Sequence, residues 1–415
     1  LKWVNSENNV PIKSWCENVE DSAMEQAKNL ANHPCTFKHV ALMPDCHSGY
    51  GMPIGGVIAF KNAVCPHAVG VDIGCGMGAI GTNIDISSFP EGNEGMKVFR
   101  SILDMVKDHV PVGEGHARAK EQEWNDDYFI NDDPFNEYSI DNRGWFDDSK
   151  GRSFDLKNLG TLGGGNHFIE IQASDDNKIW LMVHSGSRNL GHRIASYYHK
   201  EALAWNEKWH SNLPSKDLAF FPADDDMGQA YIEDMNLALR YARENRRIIM
   251  EQLKIALDES CSFLGIDYNI VEEVNIHHNY AAIEKHFGRN VWIHRKGATS
   301  AKKGEIGIIP GSMGTSSYIV GGLGNMESFM SCSHGAGRKM SRTDACISIS
   351  KNEADKAMEG IVHDRWGNVK RGKAKGKADL SESPLAYKNI DEVIASETDL
   401  VEVLVKLRPL AVLKG

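Results

Sequence analysis

Apolar and polar positions alternate with different periods along the chain, and the changes of period mark its elements. From Asp224 to about Ser260 the apolar side chains recur every three or four residues, at Tyr231, Met235, Leu239 and Ala242 and again at Ile249, Leu253 and Ala256. That is one face of an α-helix, and the preceding Asp224, Asp225 and Asp226 suit a helix N-terminus, where free amides attract carboxylates. The spacing predicts the clearest helix of the chain over about 224–260. Upstream, FIEI and IWLMV flank the turn-like SDDN and predict a hairpin within about 158–190. Downstream of Asn290, VWIH, IGIIP and SYIVG are strand-like pieces split by glycine turns. The end, IDEVIASETDLVEVLVKLRPLAVLKG, reads as a helix pair or a helix followed by a strand.

The first part of the chain mixes short apolar runs, VGVDI and GVIAF, with glycine clusters. It passes into the acidic, aromatic-bearing EQEWNDDYFINDDPFNEYSIDNRGWFDDSKG, which reads as a long surface excursion. No internal repeat or linker invites a cut, so the expectation is a single large mixed α+β domain over 1–415 with a helical insertion at about 224–260.

Composition narrows the class. With 41% hydrophobic and 25% charged residues the chain suits a globular fold rather than disorder. No run approaches the roughly 18 apolar residues of a membrane span, and LKWVNSENN carries no secretory hydrophobic segment, so a cytoplasmic protein with no membrane partner is expected. Eight scattered cysteines lack the spacing of a disulfide scaffold and are expected to be reduced. A net charge of −11 argues against a surface coated with nucleic-acid-binding charge, so any RNA contact must be local. Arg365, Lys370, Arg371, Lys373, Lys375 and Lys377 form one such basic stretch, equally readable as a solvated loop.

Chemistry concentrates in four segments. HAVGVDIGCGMGAI sets Asp72 and Cys75 three apart among glycines after an apolar, strand-like run, so both could face one ion. A thiolate with a carboxylate and imidazoles suits a divalent first-row metal better than calcium, although D-x-x-C alone far more often means a buried cysteine in a tight turn. If the hairpin is symmetric about Asp175 and Asp176, His167 faces His184, and opposed residues of an antiparallel pair have Cβ atoms roughly 4.5–5.5 Å apart. Two satisfied histidines at a strand end are the bland alternative. His277 and His278 are adjacent and point apart from any regular element, so only one is expected as a ligand. In SCSHGAGRKMSR, His334 is followed by small residues that admit a bulky ligand. Arg338 and Arg342 would share one face of a helix and offer phosphate-binding forks beside a nucleophilic histidine. The glycine turns NLGTLGGGNH and IPGSMGTSS match neither the P-loop nor the dinucleotide fingerprint.

Taken in order, LMPDCHSGYGMPIGGV, VGVDIGCGM, GTLGGGNHFIE, VHSGSR, NIHHNY, RKGA, IPGSMG, SHGAGR and a C-terminal lysine-glycine resemble the RtcB family of RNA ligases from about residue 10 onward. The resemblance implies strands around a central metal and nucleotide pocket with peripheral helices. It implies two manganese ions on Asp72, Cys75, His167, His184 and His278, and GTP as cofactor. It implies guanylylation of His334. It places nucleotide contacts on Asn166, Glu170, Ser312, Ser317, Gly335, Ala336, Gly337 and Lys414, with Tyr387 as a weaker candidate beside the base. It places RNA or phosphate contacts on Arg188, Lys296, Arg338 and Arg342. The reaction implied is joining of an RNA 3′-phosphate or 2′,3′-cyclic phosphate to a 5′-hydroxyl in tRNA splicing or RNA repair, with room for an activator protein. A metal-dependent RNA-end phosphodiesterase, which would use the metals but not His334, and a silent RNA-binding relative are the competing readings. Asp45, His47 and Gly49 match the family, whereas Cys46, Ser48, Tyr50, Met52 and Pro53 depart from it and suggest a divergent branch, such as a repair paralogue.

Overall fold

The computed structural model describes residues 1–124 and 134–415. Two sheets organise it. A six-stranded sheet runs in the order Trp3–Asn5, Ile12–Ser14, Thr36–Tyr50, Met52–Phe60, Arg289–Lys296, Asn279–His286. A larger sheet runs Ile270–His277, Gly76–Asp85, Lys178–Ser185, Phe168–Ser174, Val401–Lys414, Ser317–Gly322, Ile306–Ile309, with Val362–His363 pairing in parallel on the C-terminal strand. Its two end strands touch, so the sheet curls nearly into a barrel. The fold is mixed α+β, as expected, and among the described residues no helix is long and apolar enough to cross a membrane.

The amphipathic segment is a 39-residue helix, Asp226–Leu264. Asp225 caps it by accepting from Met227 N at 3.0 Å, and Gly265 closes it in the left-handed conformation. Ile249, Met250, Leu253 and Leu257 pack on the large sheet against Ile80, Ile169, Leu181 and Val183, with Phe99, Ile102 and Leu103 of the helix Gly92–His109 closing the cluster. The chain end resolves into a helix, Ile390–Ala395, followed by the strand Val401–Lys414.

Three expectations need correction. The hairpin forms, but its turn holds three residues with Asn177 left-handed, and this shifts the register by one: Phe168, not His167, pairs with His184. VGVDI is not a strand; Pro66 opens a helical turn, Pro66–Val69, and Asp72–Cys75 form a tight turn that delivers Gly76 into its strand. The acidic stretch is only in part a surface excursion where it is described: Glu137, Asp141 and Asp148 are exposed, but Trp124, Phe135, Ile140 and Trp145 are buried around the long helix and the helix Leu190–Lys208. The part of that expectation on residues 125–133 lies outside the described residues.

Candidate active site

The candidate metal-ligating side chains gather at one end of the large sheet, Asp72 and Cys75 from one turn and His167, His184 and His278 from three other segments. Cys75 N donates to Asp72 O at 3.1 Å, so the turn holds both side chains on one side. Gly76 follows directly; a Cβ there would stand 2.0 Å from Ile276 O, so only glycine lets the Ile270–His277 strand pair this closely. His278 N donates to Cys75 O at 2.9 Å, which fixes the third segment on the first.

The donors interlock around the sulfur. Cys75 Sγ is 3.2 Å from His184 Nε2 and 3.5 Å from His167 Nε2, and His184 Nε2 is 3.4 Å from His278 Nε2. His167 Nε2 lies 3.6 Å from Asp72 Oδ2. Two overlapping sets result, Cys75 with His184 and His278, and Asp72 with Cys75 and His167, each with its donor atoms within 4.8 Å of one another. The shared residue is Cys75, which belongs to both sets. His167 Nδ1 donates to Leu162 O at 2.9 Å and His184 Nδ1 to Asn166 O at 3.1 Å, which leaves both Nε2 lone pairs facing the cage. His277 turns away to Arg246 and Gly74 O, as adjacency required.

The cage is electrostatically unsatisfied by its own residues. Burial holds the Cys75 thiol well above its ordinary range and pushes the His184 and His278 imidazoles well below theirs. Buried Nδ1 of His278 has no hydrogen-bond partner. A protonated thiol among neutral imidazoles is what a dication converts to a thiolate on binding, with release of the proton. Sulfur, nitrogen and oxygen donors together fit a divalent first-row ion.

A cavity of about 510 Å³ opens beside the cage, within the size range of small-molecule sites. His184, His334, Asn166, Ser312, Gly335, Ala336, Gly337, Arg338, Arg342, Tyr387 and Lys414 line it. Lys414 gets there because the C-terminal strand sets it opposite Phe168. Glu170 and Ser317 are buried behind the wall, linked through Gln172, whose amide donates to Glu170 Oε2 at 2.7 Å and Ser317 Oγ at 3.2 Å. Burial pushes Glu170 up to about 8. Arg188 and Lys296 do not line the cavity: Arg188 Nε donates to Thr161 Oγ1, and the buried Lys296 Nζ donates to Tyr50 O and His67 O. The basic residues between 365 and 377 are all exposed.

His334 follows the short strand Ser331–Ser333, which pairs with Ala298–Ser300. Its Nδ1 meets Asp45 Oδ2 at 2.7 Å, its backbone N donates to the same oxygen at 3.2 Å, and its ring centroid is 4.8 Å from that of His278. Gly337 is left-handed, and a Cβ there would stand 2.4 Å from Asp45 O, so the small residues of this loop serve the approach to Asp45 as well as to a ligand. The expected helical pairing of Arg338 and Arg342 is absent, since Arg338 precedes the helix Arg342–Ser348. They converge instead on Glu382, at 3.3 and 3.2 Å, together with Lys414 at 3.2 Å and the Tyr387 hydroxyl at 2.5 Å. Burial alone would raise Glu382, but Lys414, Arg342, Tyr387 and Arg338 hold it below its ordinary value.

Sequence reasoning missed four residues that organise this site. Asp45, matched to the family but given no role, and Glu382 act across long stretches of chain and leave no local pattern of what they do. Asn245 and Arg246 did leave one, a polar break in the stripe between Ala242 and Ile249. Arg246 donates to Asn275 Oδ1, Gly74 O and Ser185 O at 2.8–3.0 Å, and Asn245 bonds to Gly160, Thr161, Ser185 and Gly186. One helix turn thus ties together the loops that carry Cys75, His167, His184 and His278.

Known proteins are similar to this chain over nearly their whole length. The family model described as tRNA-splicing ligase RtcB matches residues 26–415. The RNA-splicing ligase RtcB of Escherichia coli strain K12 is 39% identical over 98% of this chain and 98% of its own. The tRNA-splicing ligases RtcB of Nanoarchaeum equitans and Thermococcus kodakarensis are 33% and 31% identical, over 98% and 95% of this chain and 96% and 92% of theirs.

Proposed function

This chain belongs to the RtcB family and is an RNA ligase of splicing or repair, and from that premise we propose that it uses GTP and manganese to join an RNA 3′-phosphate or 2′,3′-cyclic phosphate to a 5′-hydroxyl through a guanylylated His334. One observation carries the reading: Asp45 engages Nδ1 of His334 at 2.7 Å, which leaves Nε2 as the free nucleophilic nitrogen at a nucleotide-sized cavity. An RNA-end phosphodiesterase would need no such histidine.

The residues then divide the work. Nε2 of His334 attacks the α-phosphorus of GTP, the nitrogen–phosphorus bond forms as the bond to pyrophosphate breaks, and the Nδ1 proton stays in its bond to Asp45. An oxygen of the RNA 3′-phosphate attacks that phosphorus next, which returns the electron pair to Nε2 and leaves GMP on the RNA end. The 5′-hydroxyl attacks the RNA phosphorus, gives its proton to solvent and expels GMP. A cyclic end takes up one water beforehand. Manganese ions held by Asp72, Cys75, His167, His184 and His278 would supply positive charge against the phosphates. Asn166, Ser312, the Gly335–Gly337 loop and Lys414 hold the nucleotide, with Glu170 and Ser317 behind them. Arg338, Arg342 and Lys414 neutralise phosphate oxygens that displace Glu382 from them. The ligand residues are spread from Asp72 to Lys414, which supports the whole span 1–415 as one catalytic unit. All eight cysteines are free, which supports work in a reducing cytoplasm.

Incubation with α-labelled GTP and manganese tests the reading. Wild type becomes covalently labelled, His334→Ala does not, and Cys75→Ala loses both the label and the metal held by the cage around Cys75. Undiminished labelling of the His334 variant overturns the nucleophile assignment.

A further inference from the structure

A second group of metal-binding side chains lies outside the site described above and shares no residue with it. His67 comes from the helical turn Pro66–Val69, His199 from the helix Leu190–Lys208 and Asp217 from the turn Lys216–Leu218. One donor atom of each lies within 4.8 Å of the other two. The two imidazoles stack with centroids 3.4 Å apart and planes 13° from parallel. Nδ1 of His67 and Nδ1 of His199 are both shielded from solvent without a hydrogen-bond partner, and the His67 residue is only 6% exposed. Leaving one buried polar atom unpaired costs about 1–3 kcal/mol, so two orphans on the rings of one cluster with a carboxylate call for an occupant. Burial lowers His67 to about 3 and holds His199 below its ordinary value, so both rings keep their lone pairs near neutral pH.

We propose that His67, His199 and Asp217 form a second metal site that takes a single zinc-like divalent cation. Two imidazole nitrogens and one carboxylate oxygen are borderline ligands of the kind zinc and cobalt favour over magnesium or calcium, and three protein ligands leave a position for water. The rings must splay from their stack so that each lone pair lies in plane with the ion. Lys296 opposes the ion's charge, since its ammonium bonds to the carbonyls of His67 and Tyr50. With Asp217 as the sole anionic ligand, the site binds more weakly than the cage around Cys75. The turn bearing His67 leads into Asp72 and Cys75, and the Tyr50 ring stands edge-on to His67, with centroids 5.3 Å apart, at the tip of the strand that brings His47 and Ser48 to the cavity. A bound ion braces the metal-ligand turn against that hairpin.

Cobalt titration of the metal-stripped full-length protein separates the two sites. Only the Cys75 cage gives a thiolate-to-cobalt charge-transfer band; the second site contributes ligand-field bands alone. His67→Ala and His199→Gln are each expected to bind one cobalt equivalent fewer than wild type with the charge-transfer band intact. Cys75→Ala is expected to lose that band and keep one equivalent. If His67→Ala does not fold by circular dichroism, His199→Gln at its partly exposed position decides alone. A His199 variant that binds as much cobalt as wild type, or a folded Cys75 variant that binds none, overturns the proposal.

Discussion

Replacing Asp45 by Asn tests the geometry around the proposed nucleophile, His334, with almost no change of shape. Asp45 Oδ2 serves two donors of His334, Nδ1 at 2.7 Å and the backbone N at 3.2 Å, while Oδ1 is buried without a partner. An asparagine has two ways to sit. With its oxygen toward His334 it keeps both bonds but loses the charge, and its NH₂ takes the position that has no acceptor. With its NH₂ toward His334 it sets donor against donor. A hydrogen bond to a charged group contributes about 1.5–3 kcal/mol against about 1 for a neutral one, so the better orientation forfeits about 1–2 kcal/mol as positive charge develops on the ring. That corresponds to roughly a 5- to 30-fold slower guanylylation. The NH₂ stands where Oδ1 already lacks a partner, so the exchange at that atom adds little further loss of stability. Asp45→Ala, which removes the acceptor for both donors, falls further on both counts. The assay is the single-turnover rate of covalent labelling by α-labelled GTP, with thermal unfolding in parallel. A folded Asp45→Asn protein labelled at the wild-type rate refutes the claim that this carboxylate holds His334 for attack.

Two further outcomes follow from the buried polar groups. Arg246→Leu leaves the carbonyls of Gly74 and Ser185 and the side chains of Asn275 and His277 without their donor; at about 1–3 kcal/mol for each unmade buried bond it should cost more than about 3 kcal/mol of stability and lower metal affinity roughly 10- to 100-fold. Thermal unfolding and equilibrium dialysis read both, and an unchanged metal affinity in folded protein would count against Arg246 as the tie between the ligand loops. Glu170 is raised by burial from 4.5 to about 8, so between those values the folded protein holds a proton that the unfolded chain releases, and stability falls as pH rises through that window. Glu397, likewise raised by burial to about 8, adds a slope of the same sign. Glu170→Gln should therefore flatten the decline of melting temperature with pH without abolishing it; a slope identical to wild type would contradict a protonated Glu170.

The pair His167 and His184 shows how a site can be legible for an incomplete reason. Both were expected to meet as opposed strand residues, yet the three-residue turn moves the register and His167 lies just before its strand. They still approach to 5.2 Å between ring centroids because Leu162 O holds His167 Nδ1 from outside the ladder. Arg338 and Arg342 repeat the lesson: a helix was expected to align them, and Glu382, some 40 residues on, does so instead. The aromatic stretch after residue 120 was misjudged because its acidic residues outweigh in number the few rings that pack, and Trp124 and Trp145 are buried all the same.

Local chemistry settled what each segment is. Period and capping announce the long helix, alternation and turn residues announce the hairpin, and the side chains able to hold a metal or attack a phosphorus are named by type wherever they stand, because these properties act within a few residues. Tertiary structure alone decided which of them meet. Convergence of Asp72, Cys75, His167, His184 and His278, the selection of Nε2 on His334 by Asp45, and the gathering of three cations on Glu382 all arise from strand order, register and close packing. Those are set by contacts between residues up to hundreds of positions apart, whose energies no neighbouring residue records.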